Sequence, residues 1–291
     1  MGTSPPLLRG GSLACSIGKL VLDGWASRFF SSDSIPSYLM TQSAPTSAKG
    51  NLVKLREQLG SRFIKTRKAA LQKLVDQGEP GLEILQGVML EEQQGEVSWL
   101  SGSIYRILRQ GESTLDQAAA EAFLAKHFPR GVVQPCSDLG VDYDKIQQLL
   151  IAQDYKEADR QSNLKLCELA GPLAMNRRWL YFSDVPQIPV PDLKTLDQLW
   201  RVYSEDSFGY SIQREIWLGV GQSWDELWPK IGWKSGNVWT RYPGSFTWDL
   251  SAPRGHLPLS NQLRGVRVMD ALMNHPAFAA VPSQTQRKRV V

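Results

Sequence analysis

Apolar residues recur at helical spacing through the first half of the chain. Leu52, Leu55 and Leu59 lie three and four residues apart, and four further runs of the same kind follow before the breakers Pro129 and Gly131. Short helices joined by short turns pack as antiparallel neighbours. The pattern therefore predicts a helical bundle of the repeat kind over residues 51–135.

A second group of helices is predicted after the breaker-rich stretch 129–139. Asp154 with Glu157, and Ser223 with Glu226, have the capping-box spacing that begins a helix. Further helices are expected at 193–203, 211–218 and 259–273. No alternation of apolar and polar residues persists, so the predicted fold class is all-α, with the second domain spanning residues 140–277.

The helical pattern fails between Pro229 and Pro258. Glycine and proline interleave there, and a connection of this length inside a domain is usually a binding loop or a disordered segment. Large aromatic residues are scarce in segments that stay unfolded. We therefore expect an ordered binding loop, because the stretch contains Trp233, Trp239, Tyr242, Phe246 and Trp248.

The two ends of the chain lack this patterning. Residues 1–50 are rich in Ser, Gly and Pro and are expected to be a flexible extension. They are interpreted either as an over-extended start, with initiation at Met40, or as a targeting peptide whose apolar runs are flanked by Arg9, Lys19 and Arg28. Residues 278–291 form a basic tail.

The second half of the chain differs from the first in its charge and in its tryptophan content. The chain has 291 residues and a formal net charge of +4, and no apolar run reaches the length of a membrane-spanning helix. Residues 171–291 contain 14 Lys and Arg against 10 Asp and Glu, which accounts for the whole excess. Eight of the ten tryptophans lie between Trp179 and Trp248. An aromatic, mildly basic region is typical of a binding surface.

Signatures of catalysis are absent. The Lys234-Ser235 pair lacks the preceding glycine of a phosphate-binding loop, because Trp233 stands there. No nucleophile elbow, His-Glu-x-x-His pair or Cys-x-x-Cys motif occurs, and the three histidines are far apart. We therefore predict no enzymatic activity, no catalytic residue and no metal site.

Basic residues accompany the aromatic loop. From Trp233 to Arg267 there are five Lys and Arg and one acidic residue, Asp249. Arg264 and Arg267 are three residues apart on the predicted last helix, so both guanidinium groups suit carboxylates at the rim of an apolar slot. The alternative is a solvated helix face on which Arg267 pairs with Asp270.

Several segments resemble the genomes-uncoupled-four domain. They are Lys165–Pro172 (KLCELAGP), Trp179–Phe182 (WLYF), Leu227–Arg241 (LWPKIGWKSGNVWTR), Phe246–Pro253 (FTWDLSAP), Gly255–Pro258 (GHLP) and Asn261–Arg267 (NQLRGVR). The resemblance covers about residues 140–277. The preceding bundle resembles the amino-terminal domain of cyanobacterial members.

The resemblance implies a non-catalytic protein with an all-helical, cupped-hand fold. Such proteins bind protoporphyrin IX and magnesium protoporphyrin IX, with no prosthetic group, and stimulate magnesium chelatase together with its large porphyrin-binding subunit. It also implies a role in chlorophyll biosynthesis, in a cyanobacterial cytoplasm with peripheral thylakoid association; the alternative compartment is the chloroplast stroma. A monomer is the default expectation.

The resemblance also implies the binding residues. Phe182, Val185, Ile212, Trp217, Phe246 and Leu263 would line the palm, Arg264 and Arg267 would meet the propionates, and Arg214 is a weaker basic candidate. Trp239 and Tyr242 belong to the finger loop. Tyr242 stands where family members can have tryptophan, which predicts a changed affinity or preference.

Other interpretations of the same residues remain. Aromatic and basic residues in one loop also describe a platform for single-stranded nucleic acid, whose binding would weaken steeply with salt. A structural adapter built on the helical half would bind a partner without Arg264 and Arg267. His256 is interpreted as a loop-structural residue, with axial ligation of a metal centre as the alternative.

Overall fold

The computed structural model describes residues 46–95, 97–111, 116–259 and 266–279. The described residues from 51 onward form one compact unit. Helices dominate the described residues, which confirms the predicted all-α class. The helices are α1 (Thr46–Leu59), α2 (Ile64–Val75), α3 (Glu79–Gln93), α4 (Trp99–Gln110), α5 (Gln117–His127), α6 (Asp144–Ile151), α7 (Tyr155–Leu169), α8 (Pro172–Arg177), α9 (Val190–Tyr203), α10 (Tyr210–Gly219), α11 (Trp224–Lys230), α12 (Arg267–Met273) and α13 (Pro276–Ala279).

Helix starts follow the capping residues of the sequence. Asp154 accepts a hydrogen bond from the Glu157 backbone N–H at 3.1 Å, and Ser223 accepts one from Glu226 at 3.4 Å. These contacts satisfy backbone donors that have no partner within the helix. Glu157 does not complete its capping box, because its carboxylate pairs with Arg160 instead.

Helix α9 is the centre of the carboxyl-terminal half. It packs against α4, α6, α10 and α13. Trp200 is fully buried on α9, and its indole N–H donates to Ser162 Oγ on α7 at 3.0 Å. Tyr155 stacks on Trp200 and meets Phe208 edge-on, with ring centroids 6.1 and 5.4 Å apart. This aromatic core fixes α7 against α9.

The amino-terminal helices contact α9 through α4. Gly102 lies so close to α9 that a Cβ added there would stand 2.3 Å from the Val202 carbonyl oxygen. Glycine thus permits direct contact of the two helix backbones. Arg106 donates to Glu205 at 2.9 Å beside this contact.

Two elements differ from the sequence prediction. A two-stranded hairpin, β1 (Lys234–Ser235) and β2 (Val238–Trp239), lies within the expected irregular loop, and it is too short to produce visible alternation. Helix α12 begins at Arg267, and Leu259 is not helical, so the helix expected over 259–273 is wrong at its start. Arg264 lies outside the described residues.

None of the described helices is long and apolar enough to span a bilayer. Most of the expected flexible extension (residues 1–45) and most of the expected basic tail (residues 280–291) lie outside the described residues. A single turn of 3-10 helix, Val185–Gln187, connects α8 to α9.

Candidate functional site

Four tryptophans form a continuous stack, which we name the indole stack: Trp217, Trp224, Trp228 and Trp233. Successive ring centroids are 5.0, 5.4 and 5.6 Å apart, with interplanar angles of 28°, 22° and 8°. Trp217, Trp228 and Trp233 are buried, and Trp224 is partly buried. The indole stack supports the long loop, because Trp233 lies between the end of α11 and the start of the hairpin strand β1.

His256 links the long loop 229–258 to the end of the indole stack through hydrogen bonds. Its carbonyl accepts the Trp233 indole N–H at 2.8 Å. Its Nδ1–H donates to the Ile231 carbonyl at 2.6 Å, and its Nε2 accepts the Thr247 backbone N–H at 3.3 Å. Burial lowers the pKa of His256. Both ring nitrogens are engaged by the loop backbone, so the structure gives His256 the loop-structural role.

Other rings extend the indole stack to the surface. Trp239 lies 5.6 Å from Trp228 and remains 45% exposed. Phe246 is buried against Trp233 and contacts Trp248, which in turn meets Tyr242 edge-on at 6.0 Å. Tyr242 is 55% exposed. The predicted residues Trp217, Trp239, Tyr242 and Phe246 therefore belong to one aromatic network, with the two loop rings open to solvent.

A second exposed ring lies beneath a guanidinium group. Phe182 is 46% exposed, and Arg267 Cζ stands 5.5 Å from its ring centroid. No carboxylate in the described part of the chain lies within 4.0 Å of Arg267. The alternative pairing of Arg267 with Asp270 is thus absent, and the cation is held over an aromatic face.

The remaining predicted site residues have other surroundings. Val185 and Ile212 are buried, and Trp217 is nearly so, with no acceptor for its indole N–H among the described residues. Arg214 Nε donates to the Met273 carbonyl at 2.8 Å, which holds the end of α12. Leu263 and Arg264 lie outside the described residues.

A cavity of about 310 Å³ opens beside Tyr242. Of the predicted site residues that the structure describes, Tyr242 lies on its wall. The other wall residues are Asp159, Arg160, Asn163, Leu164, Leu166, Cys167, Arg178, Trp179, Leu180, Leu259, Val268 and Leu272. Sequence reasoning missed this cavity. A usable signal exists, since Asp159, Asn163 and Cys167 repeat every four residues along one face of α7.

Asp159 is the acidic residue on this wall, and it is 2% exposed. Its Oδ1 accepts the Leu259 backbone N–H at 2.6 Å, and the Asn163 amide lies 3.5 Å from its Oδ2. Burial raises the pKa of Asp159 to about 7, because the Leu259 N–H offsets the loss of water only in part.

Asp159→Asn is expected to change how stability depends on pH. The folded-state pKa of about 7 exceeds the unfolded value of about 4, so the contribution of the neutral acid is complete below pH 4 and lost as pH rises through 7. The asparagine side chain retains an oxygen that can accept the Leu259 backbone N–H, and it does not ionise. The variant should gain stability relative to the unchanged protein between pH 5 and pH 8.

Urea unfolding at both pH values measures this difference. Asp144→Asn on α6 is the matched control, because the Asp144 side chain is 43% exposed and the difference should therefore vary less with pH. An Asp159→Asn difference that stays constant between pH 5 and pH 8 would show that the buried carboxyl is not protonated near neutrality.

Comparisons with known proteins agree with the two halves of the chain. The GUN4-like family profile matches residues 136–276, and the profile described as ARM-like repeat domain, GUN4-N terminal, matches residues 44–129. The Ycf53-like protein of Synechocystis sp. (strain ATCC 27184 / PCC 6803 / Kazusa) is 45% identical over 230 residues, which are 79% of this chain and 97% of that protein.

Two further proteins are similar over about half of this chain. A protein of Arabidopsis thaliana named tetrapyrrole-binding protein, chloroplastic, is 34% identical over 146 residues, 47% of this chain and 55% of that protein. The solved structure of GUN4 from Chlamydomonas reinhardtii is 41% identical, covers 50% of this chain and 95% of its own, and superimposes with a TM-score of 0.48. The profile matches and the Synechocystis relative confirm the resemblance that the sequence segments indicate: the chain belongs to the genomes-uncoupled-four (GUN4) family and is of its two-domain type.

Proposed function

We propose that this protein binds the tetrapyrroles protoporphyrin IX and magnesium protoporphyrin IX and stimulates magnesium chelatase. The observation that carries the proposal is the Arg267 guanidinium, which has no carboxylate partner in the described residues and lies over the exposed ring of Phe182. A flat macrocycle with propionate groups complements this arrangement: the ring covers apolar surface while a propionate reaches the cation. The tetrapyrrole-binding relative supports the same ligand class.

Apolar burial supplies most of the affinity in this proposal. Each Å² of apolar surface removed from water contributes about 25 cal/mol, so a macrocycle covering Phe182 and the loop rings Trp239 and Tyr242 gains several kcal/mol. The gain is reduced by the cost of ordering both partners. Arg267 then fixes the orientation of the bound macrocycle, because a guanidinium binds a carboxylate in a fixed geometry.

The proposal distributes roles among the predicted residues. Trp239, Tyr242, Phe182 and Arg267 contact the ligand directly, and Leu263 and Arg264 do so from the segment between Leu259 and Val266. The buried Val185, Ile212, Trp217 and Phe246 shape the surface from behind, and Arg214 supports Arg267 by holding the end of α12. Tyr242 in place of tryptophan changes the preference between ligands.

We further propose that the ligand is passed between this protein and the large porphyrin-binding subunit of magnesium chelatase. The protein carries out no chemical step of its own and has no prosthetic group. It acts as a monomer in a cyanobacterial cytoplasm with peripheral contact to thylakoids, or in the chloroplast stroma as the alternative compartment. The domains are residues 51–135 and 140–277.

A chelatase assay tests the regulatory part of the proposal. Addition of the protein to purified magnesium chelatase at limiting protoporphyrin should raise the rate of magnesium insertion, measured by the fluorescence of the product. Phe182→Ala with Arg267→Ala should raise it less. An unchanged rate of magnesium insertion, with porphyrin binding intact, would contradict the proposed stimulation of magnesium chelatase. It would not contradict tetrapyrrole binding.

A further inference from the structure

Arg178 occupies a backbone position that ordinarily belongs to glycine. It follows α8 with φ 61° and ψ 29°, and its N–H donates to the carbonyls of Ala174 at 2.8 Å and Met175 at 3.2 Å. Helices commonly end on such a left-handed residue, which is usually glycine because a Cβ is disfavoured there. An arginine at this position costs stability, and residues held in disfavoured backbone conformations concentrate at binding sites.

The charge of Arg178 has no counter-ion among the described residues. The neighbouring Arg177 forms a salt bridge with Asp184 at 2.5 Å. Its guanidinium also stacks on Tyr181, and its Cζ is 4.4 Å from the ring centroid. Arg160, on the same cavity wall as Arg178, bonds Glu157 at 2.6 Å. No carboxylate in the described ranges lies within 4.0 Å of Arg178.

The cavity beside Arg178 offers a mostly apolar wall. Its volume of about 310 Å³ is at the small end of ligand pockets, so it accommodates one edge of a large flat ligand. The apolar wall residues are Leu164, Leu166, Leu180, Leu259, Val268 and Leu272. Arg178, which follows α8, lies on the cavity wall, and Arg267 directly precedes the wall residue Val268 on α12.

Asp159 does not neutralise Arg178 from within the cavity. It is the acidic residue on the wall, its Oδ1 is held by the Leu259 N–H, and burial raises its pKa to about 7. Below neutral pH this carboxyl is therefore mostly uncharged and does not repel an incoming anion. Of the other titratable groups near it besides Arg178, Arg160 is paired with Glu157, and Tyr210, Tyr242 and Cys167 are neutral at that pH.

We propose that Arg178 binds a carboxylate of the ligand at this cavity, which makes the protein specific for tetrapyrroles with two carboxylates. One propionate meets Arg178 and the other meets Arg267, while the edge between them enters the apolar cavity. The inference rests on the proposed tetrapyrrole-binding function and adds to it a residue that determines specificity.

The test compares a porphyrin dicarboxylic acid with its dimethyl ester. Deuteroporphyrin IX and its dimethyl ester are titrated into the full chain at pH 6.5, in the same low detergent concentration, and tryptophan quenching gives each Kd. Arg178→Gly should weaken binding of the diacid about tenfold, the value of one charge-assisted hydrogen bond, and binding of the diester less than twofold.

The glycine variant separates binding from folding. Glycine suits φ 61°, so Arg178→Gly should keep or raise the thermal midpoint. Gln222→Gly is the matched control: Gln222 also has a left-handed backbone, φ 65°, and is exposed away from the cavity wall. It should change stability in the same direction and leave both Kd values unchanged.

Two results would overturn the inference. Unchanged diacid affinity in Arg178→Gly, or an equal loss for diacid and diester, would show that Arg178 binds no carboxylate, and the proposed function would stand. Failure of the unchanged protein to bind either porphyrin would overturn the proposed function as well.

Discussion

Replacing Trp233 with alanine is expected to lower the free energy of unfolding by about 3–5 kcal/mol. Trp233 is 1% exposed and stacks on Trp228 at an interplanar angle of 8°. Its indole N–H also donates to the His256 carbonyl at 2.8 Å. Alanine would leave a cavity at the end of the indole stack and an unsatisfied buried carbonyl, so the loop would lose its attachment.

Chemical denaturation measures this effect, with Trp239→Ala as the matched control. Trp239 belongs to the same aromatic network but is 45% exposed, so its removal should cost less than about 1 kcal/mol. Similar losses for the two variants would mean that the stack does not support the loop in the way its geometry indicates.

The double variant Arg264→Ala, Arg267→Ala is expected to weaken porphyrin binding about 100-fold. Each charge-assisted hydrogen bond to a propionate contributes about 1.5–3 kcal/mol, and two losses at the lower value correspond to this factor. Arg267 is described, over Phe182, whereas Arg264 lies outside the described residues. Fluorescence titration with deuteroporphyrin IX gives the Kd values.

A control for net charge uses two arginines of the amino-terminal half. Arg62→Ala with Arg130→Ala removes the same charge far along the chain and should change the porphyrin Kd less than twofold. Equal weakening by both double variants would indicate a general electrostatic effect in place of propionate contacts.

Local features of this fold were predictable because they depend on neighbouring residues. Apolar spacing predicts the helices that became α9 and α10, and the side chain of Asp154 marks the start of α7. The start of α12 was not predictable in this way. Its N-cap is Val266, which has no side-chain acceptor, so nothing in the local sequence separates Arg267 from the residues before it.

The candidate site was predictable only in part, because its contacts join distant segments. Spacing cannot place the ring of Phe182 under Arg267, and here the family resemblance supplied both residues. The resemblance implied that Trp217 lines the palm, and the structure buries this residue in the indole stack. The cavity at Asp159 was missed because the repeat of Asp159, Asn163 and Cys167 marks one face of α7 but does not show which distant segments pack against that face.

Titration of the unchanged protein with a water-soluble protoporphyrin analogue tests the central claim most directly. Tryptophan quenching and the visible absorption band should change together and saturate at one ligand per chain, with little dependence on salt because apolar burial dominates. No saturable change, or binding that is lost steeply as salt rises, would contradict tetrapyrrole binding, and the second outcome would favour single-stranded nucleic acid.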